Sequence, residues 1–468
     1  MSRLLFKIKV FVAGLLATAI GFAQTIEISD LSTLDRNFIG IISAQQADIP
    51  ADFFANASTK SLVDAYSDQK GHKFYSLGQF IHRLSLVELA GPPADANQGR
   101  LFNARVRHLI DIGAIDEADA LLRKSEISNP QRFALWFEVQ LLREDPILGC
   151  TPLRNQSELS ADIATTIYCL AINQDWFAAE LLLASAMELG QLEKDSADLL
   201  LGFLEPDNLE GRPPPSPPSQ SVLEITIAEA LALPYNISTI PAGFLHRDLS
   251  EDIGWITRIR TAERLARGGA ISPRYLKEVY SQGSASASGA LWDRVRAANT
   301  IKKISTSSDS ELICKEFLQA WAQFNDPKLL PIFSRMYAEE ISHVAFSSEQ
   351  CIEKQILLIL LHPNRASLLF DLLVEIKTDD ILYGLSTGDF SKTNPKTNLE
   401  ASILMAYIDA PVSKQNSAEL LGQLATVRDG IESDPRNIGK AIKTLNAKGL
   451  EKIALDLAFE AIVLERAN

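Results

Sequence analysis

The side chains of this chain best suited to chemistry are four cysteines, six histidines, a run of arginines and 59 acids. Cys150, Cys169, Cys314 and Cys351 show no Cys-x-x-Cys, and the nearest histidine, His343, precedes Cys351 by eight residues. Neither spacing suits zinc. Four cysteines allow three disulfide connectivities. The simplest joins neighbours, Cys150–Cys169 and Cys314–Cys351. The first would tie the loop after Leu148-Gly149 to the helix holding Ile167-Tyr168. The second would join two helices across an intervening one. His72, His82, His108, His246, His343 and His362 are scattered at spacings that put no two ligands on one face, and read as surface or satisfied core residues. Ser67-Asp-Gln-Lys70 matches Ser-x-x-Lys but lacks the companion motifs of a penicillin-binding site. There is no Gly-x-Ser-x-Gly, His-Glu-x-x-His, Gly-x-x-x-x-Gly-Lys or Gly-x-Gly-x-x-Gly. The expected catalytic, cofactor and metal sets are therefore empty.

Two patterns remain. Arg260, Arg264 and Arg267, spaced by four and three, share one face of a helix that also carries Arg258. This stripe would bind an acidic partner or anionic glycan, or else form a solvated face paired with nearby acids. Trp136, Trp176, Trp255, Trp292 and Trp321 each sit in an apolar helical pattern, so core packing is expected over a sugar platform.

The chain holds 468 residues at formal charge −14, an acidic balance that argues against binding nucleic acid. Residues 1–23 read as a secretory signal peptide. Arg3, Lys7 and Lys9 form a basic start, Val10 to Ala23 run uncharged, and Gly21-Phe22-Ala23 is a cleavage pattern. The 14-residue apolar run is shorter than the roughly 20 residues that span a bilayer. Cleavage near Ala23 removes three cations and no anion, taking the charge to −17. The expected compartment is a bacterial periplasm. An uncleaved signal would be the only membrane attachment.

The elements that must position these residues read as helices. Apolar positions recur at three and four in Leu312, Ile313, Phe317, Leu318 and Trp321, and again in Leu450, Ile453, Ala454, Leu457 and Ala458. Asn129-Pro130, Ser272-Pro273, Asp326-Pro327 and Asp434-Pro435 place a capping side chain before a proline that suits the first helical position. Ser308-Asp-Ser-Glu311 reads as a capping box. Stops are expected at Gly113, Gly190, Gly268-Gly269 and Gly449.

Gly113-Ala-Ile-Asp-Glu-Ala118-Asp-Ala-Leu-Leu122 resembles the start of the second helix of a tetratricopeptide-type repeat. Asp175-Trp-Phe-Ala-Ala179-Glu-Leu-Leu-Leu183 and Gly449-Leu-Glu-Lys-Ile-Ala454-Leu-Asp-Leu-Ala458 echo it. The likeness is partial, because Ala118 and Ala179 stand 61 residues apart, close to but not equal to two repeats of about 34. It implies an all-α fold, an irregular α-solenoid of antiparallel hairpins. Arg267-Gly-Gly-Ala-Ile-Ser-Pro-Arg-Tyr-Leu-Lys-Glu-Val-Tyr280, with Leu291-Trp-Asp-Arg-Val-Arg-Ala-Ala298, is similar to segments of exported helical proteins of alphaproteobacteria, which implies no active-site residues. Superhelices also occur in soluble lytic transglycosylases, but their catalytic phrases are missing here, and Glu419-Leu-Leu-Gly-Gln423 does not replace them.

Arg212-Pro-Pro-Pro-Ser-Pro-Pro218 excludes helix and marks a linker. The expected organisation is a mixed or helical segment over 24–100, a hairpin block over 101–206, the linker over 207–222 and a second helical block over 223–468. The expected role is a non-catalytic scaffold or adaptor for protein or peptide partners in the cell envelope, serving motility, secretion or cell-wall maintenance. The alternative is an enzyme, or its accessory superhelix, acting on peptidoglycan or another envelope polymer through an acid pair brought together in three dimensions.

Overall fold

Helices begin where short polar side chains can hold the first free N–H groups. Asn129 Oδ1 accepts from the Arg132 N–H at 2.9 Å, Ser272 Oγ from Tyr275 at 3.2 Å, and Asp434 Oδ1 from Arg436 at 2.9 Å. Asp326 accepts from Lys328 and Leu329 at 3.0 and 3.1 Å, so regular helix starts two residues later than its proline suggests. The helix carrying Leu312 is capped by Asp309, through the N–H groups of Glu311 and Leu312. The box expected from Ser308 falls outside the described residues.

The computed structural model describes residues 39–91, 99–127, 129–206, 221–234, 240–304, 309–409 and 416–467. The expected signal peptide, the start of the 24–100 segment and the proline run at 212–218 lie outside them. Twenty principal helices follow in order. The first are α1 (Thr59–Ser67), α2 (Tyr75–Leu86), α3 (Arg100–Ile112), α4 (Ile115–Lys124) and α5 (Pro130–Leu142). Then come α6 (Ile163–Ile172), α7 (Trp176–Glu188), α8 (Lys194–Leu204), α9 (Val222–Ala230) and α10 (Trp255–Gly268). Next are α11 (Pro273–Ser281), α12 (Ala290–Ile304), α13 (Ser310–Phe324), α14 (Leu329–Ser342) and α15 (Glu349–Leu360). The last are α16 (Ile381–Thr387), α17 (Asn398–Ile408), α18 (Ser417–Ala425), α19 (Pro435–Ala447) and α20 (Glu451–Ala467). The protein is all-α. Its described strands, β1 (Ile42–Ser43) and β2 (Val87–Glu88), make one short parallel pairing. Gly40 permits it, since a Cβ there would lie 2.2 Å from the Glu88 nitrogen. No described helix is long and apolar enough to cross a membrane.

The three tetratricopeptide-like stretches each join two helices that pack on one another: α3 with α4, α6 with α7, and α19 with α20. Gly113 and Gly449 close the first helix of their pairs at φ +89° and +77°. Gln174 does so for the middle pair at φ +69°, a left-handed site that carries a side chain. Both disulfides pair sequence neighbours. Cys150–Cys169 ties a short helix, Pro146–Cys150, to α6 with Cα atoms 5.2 Å apart. Cys314–Cys351 joins α13 to α15 across α14 at 5.9 Å.

The described residues fall in one compact unit with two buried apolar clusters. One is built from residues between Leu86 and Ala270. The other unites Ala47–Leu101 with Ile259–Leu464. The N-terminal helices thus pack against the C-terminal ones, α1 on α18 and α2 on α20. Polar bonds follow the same path. Gln69 Nε2 donates to the Leu421 carbonyl at 2.9 Å, and the Lys73 N–H to that of Arg428 at 2.8 Å. Phe74, the residue before α2, cannot cap it. The Glu460 carboxylate of α20 does so instead, accepting the N–H groups of Tyr75 and Ser76 at 2.5 and 2.8 Å.

Trp136, Trp292 and Trp321 are buried as expected, and Trp255 is partly buried against Trp292. Trp176 departs from the expectation. It is exposed at the start of α7, where the apolar pattern runs around the whole helix.

Candidate functional site: a basic, histidine-lined cavity

The arginine stripe lies on α10, whose other face buries Ile259, Ala262, Leu265 and Ala266. Gly269 ends this helix in the left-handed conformation at φ +82°. That backbone angle is what disfavours a side chain there, since the Gln79 Nε2 atom 2.5 Å from where its Cβ would stand ends a flexible side chain that can move. The close approach brings the end of α10 against α2 and α3, and a cavity of about 430 Å³ opens between them and the start of α14.

Gln69, His72, His108, Arg264, Arg267 and Lys328 supply its polar groups, together with Asp111. Arg264 donates to the Ile240 carbonyl at 3.1 Å, and Arg267 pairs with Asp326 at 3.1 Å. Asp111 pairs with Lys70 at 2.6 Å. Among the described residues, no carboxylate lies within 4 Å of the charged ends of Arg264 or Lys328, so net positive charge remains. Burial depresses the Lys328 ammonium, and the neighbouring Arg267 adds to the effect. Arg260 is exposed and does not line the cavity. Arg264 is exposed too, so the structure brings Arg264 and Arg267 to the rim of one cavity and leaves Arg260 away from it.

The histidines were read from sequence as unrelated. Folding gathers three of them. His72 and His108 line the cavity and are 5% and 6% exposed. His82 lies close enough to His108 to act on it electrostatically. Burial pushes His72 and His82 down to about 4, with the cations Lys328 and Arg428 adding at His72 and Arg83 at His82. It pushes His108 down to about 3, aided by the other two imidazoles. All three are neutral at pH 7.

The tautomer of His72 follows from its partner. Gln69 Nε2 donates to the carbonyls of Ala65 and Leu421 at 2.8 and 2.9 Å. Its Oε1 therefore faces His72 Nε2, at 2.9 Å, and must accept from it. A neutral ring with its proton on Nε2 leaves Nδ1 as a bare acceptor. That atom is buried with no hydrogen-bond partner, as is Nε2 of His108. Among the described residues, no group of three or more His, Cys, Asp or Glu side chains is arranged to hold a metal ion.

A second feature is a surface. α7 buries Ala179, Leu183 and Ala186 and turns Trp176, Phe177, Leu181 and Met187 outward, with Leu189 just beyond its end. Phe177 is 77% exposed and Leu181 59%. Glu180 and Glu188 lie on the same outward face, interspersed with these apolar side chains, and the helix carries no Lys or Arg. A larger opening of about 830 Å³ beside Cys314 is walled mostly by exposed side chains and holds no buried polar group.

Glu460 is the carboxyl that burial raises to about 7, against the pull of its backbone N–H bonds. It is 2% exposed and lines none of these openings. Its geometry is that of a helix cap. Comparison with protein-family models, with curated proteins and with solved structures gave no match.

Proposed function

We propose that the protein is an exported, non-catalytic scaffold or adaptor of a bacterial cell envelope, in which stacked hairpins form an irregular, tetratricopeptide-like α-solenoid. The observation that carries this reading is the outward face of α7. An apolar stripe on an acidic chain leaves several large side chains in water, and covering each stabilises a complex by about 1.5–3 kcal/mol. The glutamates interspersed on that face, Glu180 and Glu188, select the occupant: an amphipathic segment of another protein with apolar residues at helical spacing and basic residues beside them. Two disulfides are consistent with export, since such bonds persist in oxidising compartments. The polymer-cleaving alternative needs a raised carboxyl in a cleft open to substrate; burial raises Glu460, Glu117 and Glu465, of which Glu460 is closed off by α2 and the other two line none of the openings described.

Photo-cross-linking in intact cells tests this reading. A photoreactive residue at position 177 or 181 should trap one and the same protein, whereas one at Arg274, on the exposed side of α11, should not. Leu181→Asp should abolish the adduct formed from position 177. Absence of any adduct, a self-adduct or an adduct with lipid would overturn the assignment of this surface. Cleavage of purified peptidoglycan by the isolated chain would overturn the non-catalytic reading.

A further inference from the structure

We infer that the Cys314–Cys351 disulfide is a site of thiol–disulfide exchange, opened by a thiolate that enters the cavity beside it and attacks Sγ of Cys314. The thiolate would come from a small thiol or from a protein dithiol. This site is separate from the α7 surface and does not depend on it.

Two independent observations converge on that chemistry. The first is access, in which the two disulfides differ. Cys150 and Cys169 are 0% and 1% exposed, inside one of the apolar clusters. A thiolate reaches neither sulfur while the fold is intact. Cys351 is sealed as well, at 0%. Its partner is not: Cys314 is partly exposed and lines the opening of about 830 Å³. Of the two sulfurs in this bond, the one that solvent reaches is therefore that of Cys314. Ser310, Ser347 and Ser348 line the same opening, and such short side chains leave an attacking group room. Glu311 and Lys315 are the charged side chains of its wall, one of each sign, so an incoming anion meets no net repulsion there.

The second is the leaving group. Exchange is faster when the expelled sulfur is stable as a thiolate. Cys351 is the third residue of α15, a helix of 12 residues, and the N-cap residue Ser348 makes no side-chain bond to that first turn. Free N–H groups and the helix dipole favour negative charge at such an end. Access and leaving ability thus give one direction: attack at Cys314 and departure of Cys351.

The step balances as follows. The incoming thiolate forms a bond to Sγ of Cys314, the bond to Cys351 breaks, and its electron pair leaves on Cys351. A second thiolate of the reductant then takes the incoming sulfur and releases Cys314 as a thiolate. The reductant departs as a disulfide, the protein gains two electrons, and its two thiolates take up protons from water. The tie from α13 to α15 across α14 is then open.

Exchange on the full mature chain in its folded state tests this. Reduced glutathione and a thioredoxin that keeps only its attacking cysteine serve as separate probes. Samples are quenched with acid, free thiols are alkylated, and each cysteine is mapped by mass spectrometry. Cys314–Cys351 should open at least about tenfold faster than Cys150–Cys169. The first mixed disulfide should lie on Cys314 with either probe. The probe that reacts faster per mole identifies the source, a small thiol or a protein dithiol. Urea below the unfolding transition should change the rate at Cys314–Cys351 by less than about twofold, while the rate at Cys150–Cys169 climbs steeply, since that bond waits for unfolding. Equal rates at the two bonds in the folded chain would overturn the inference. So would a first adduct on Cys351, or a rate at Cys314–Cys351 that climbs with urea as steeply as the other. A preference that persists undiminished in the fully unfolded chain would also overturn it, because the fold would then not be its cause.

Discussion

At the scale of single residues, Glu460 shows how one side chain can hold distant parts of the chain together. Its carboxylate serves as the missing N-cap of α2, 384 residues earlier in the sequence. Glu460→Ala would leave the Tyr75 and Ser76 N–H groups buried without acceptors and should cost about 3 kcal/mol, read from urea unfolding. Glu460→Gln keeps one acceptor and should cost less. The pH dependence has a definite sign. The folded pKa of about 7 lies above the ordinary 4.5 of a glutamate in water. The folded chain therefore keeps a proton that the unfolded chain releases, and the stability this group contributes falls as pH rises through that window. The margin of the parent over Glu460→Gln should shrink between pH 5 and pH 8, and an unchanged margin would contradict the buried, protonated carboxyl. No sequence signal marked Glu460 among 59 acids, because a cap supplied from another helix leaves no local pattern.

At the scale of elements, local grammar was legible. Asn129, Ser272 and Asp434 cap the helices expected of them, and Gly113, Gly190, Gly269 and Gly449 adopt the left-handed conformation expected at helix ends. These features depend on neighbours within four residues, so the sequence itself carries them. The two disulfides also join elements close in sequence, across 19 and 37 residues. In the chain-entropy account, loops of those sizes stabilise the fold by about 3 and 4 kcal/mol. Cys314→Ser with Cys351→Ser should therefore lower the urea midpoint more than Cys150→Ser with Cys169→Ser. The reverse order, or no change on reduction of the parent, would count against that account. α7 was the element misread. Trp176 was expected to pack in the core, yet among the described residues only the side of α7 with Ala179, Leu183 and Ala186 is buried, and Trp176 stays outside.

At the scale of the whole molecule, the buried histidines set the acid limit. His72, His82 and His108 have folded pKa values of about 4, 4 and 3, below the ordinary 6.5 of a histidine in water. Below pH 6.5 the unfolded chain takes up protons that the folded chain refuses, so stability falls on acidification by about 1.4 kcal/mol per pH unit for each. Glu460 opposes this with one proton of the other sign. Three against one predicts a net loss of roughly 3 kcal/mol per unit between pH 6 and pH 5. Unfolding curves across that range check it, and a flat profile would contradict the burial of these rings. By itself the sequence determined helix type, most helix ends and the shared face of Arg264 and Arg267, all of which rest on short-range spacing, and it favoured disulfides between neighbouring cysteines while leaving three connectivities open. Only the tertiary structure decided that α1 and α2 lie against α18 and α20, that Arg260 stays out of the cavity, and that His72, His108 and Lys328 meet the arginines. Those choices belong to the burial of apolar faces across hundreds of residues, a collective effect that no local pattern encodes.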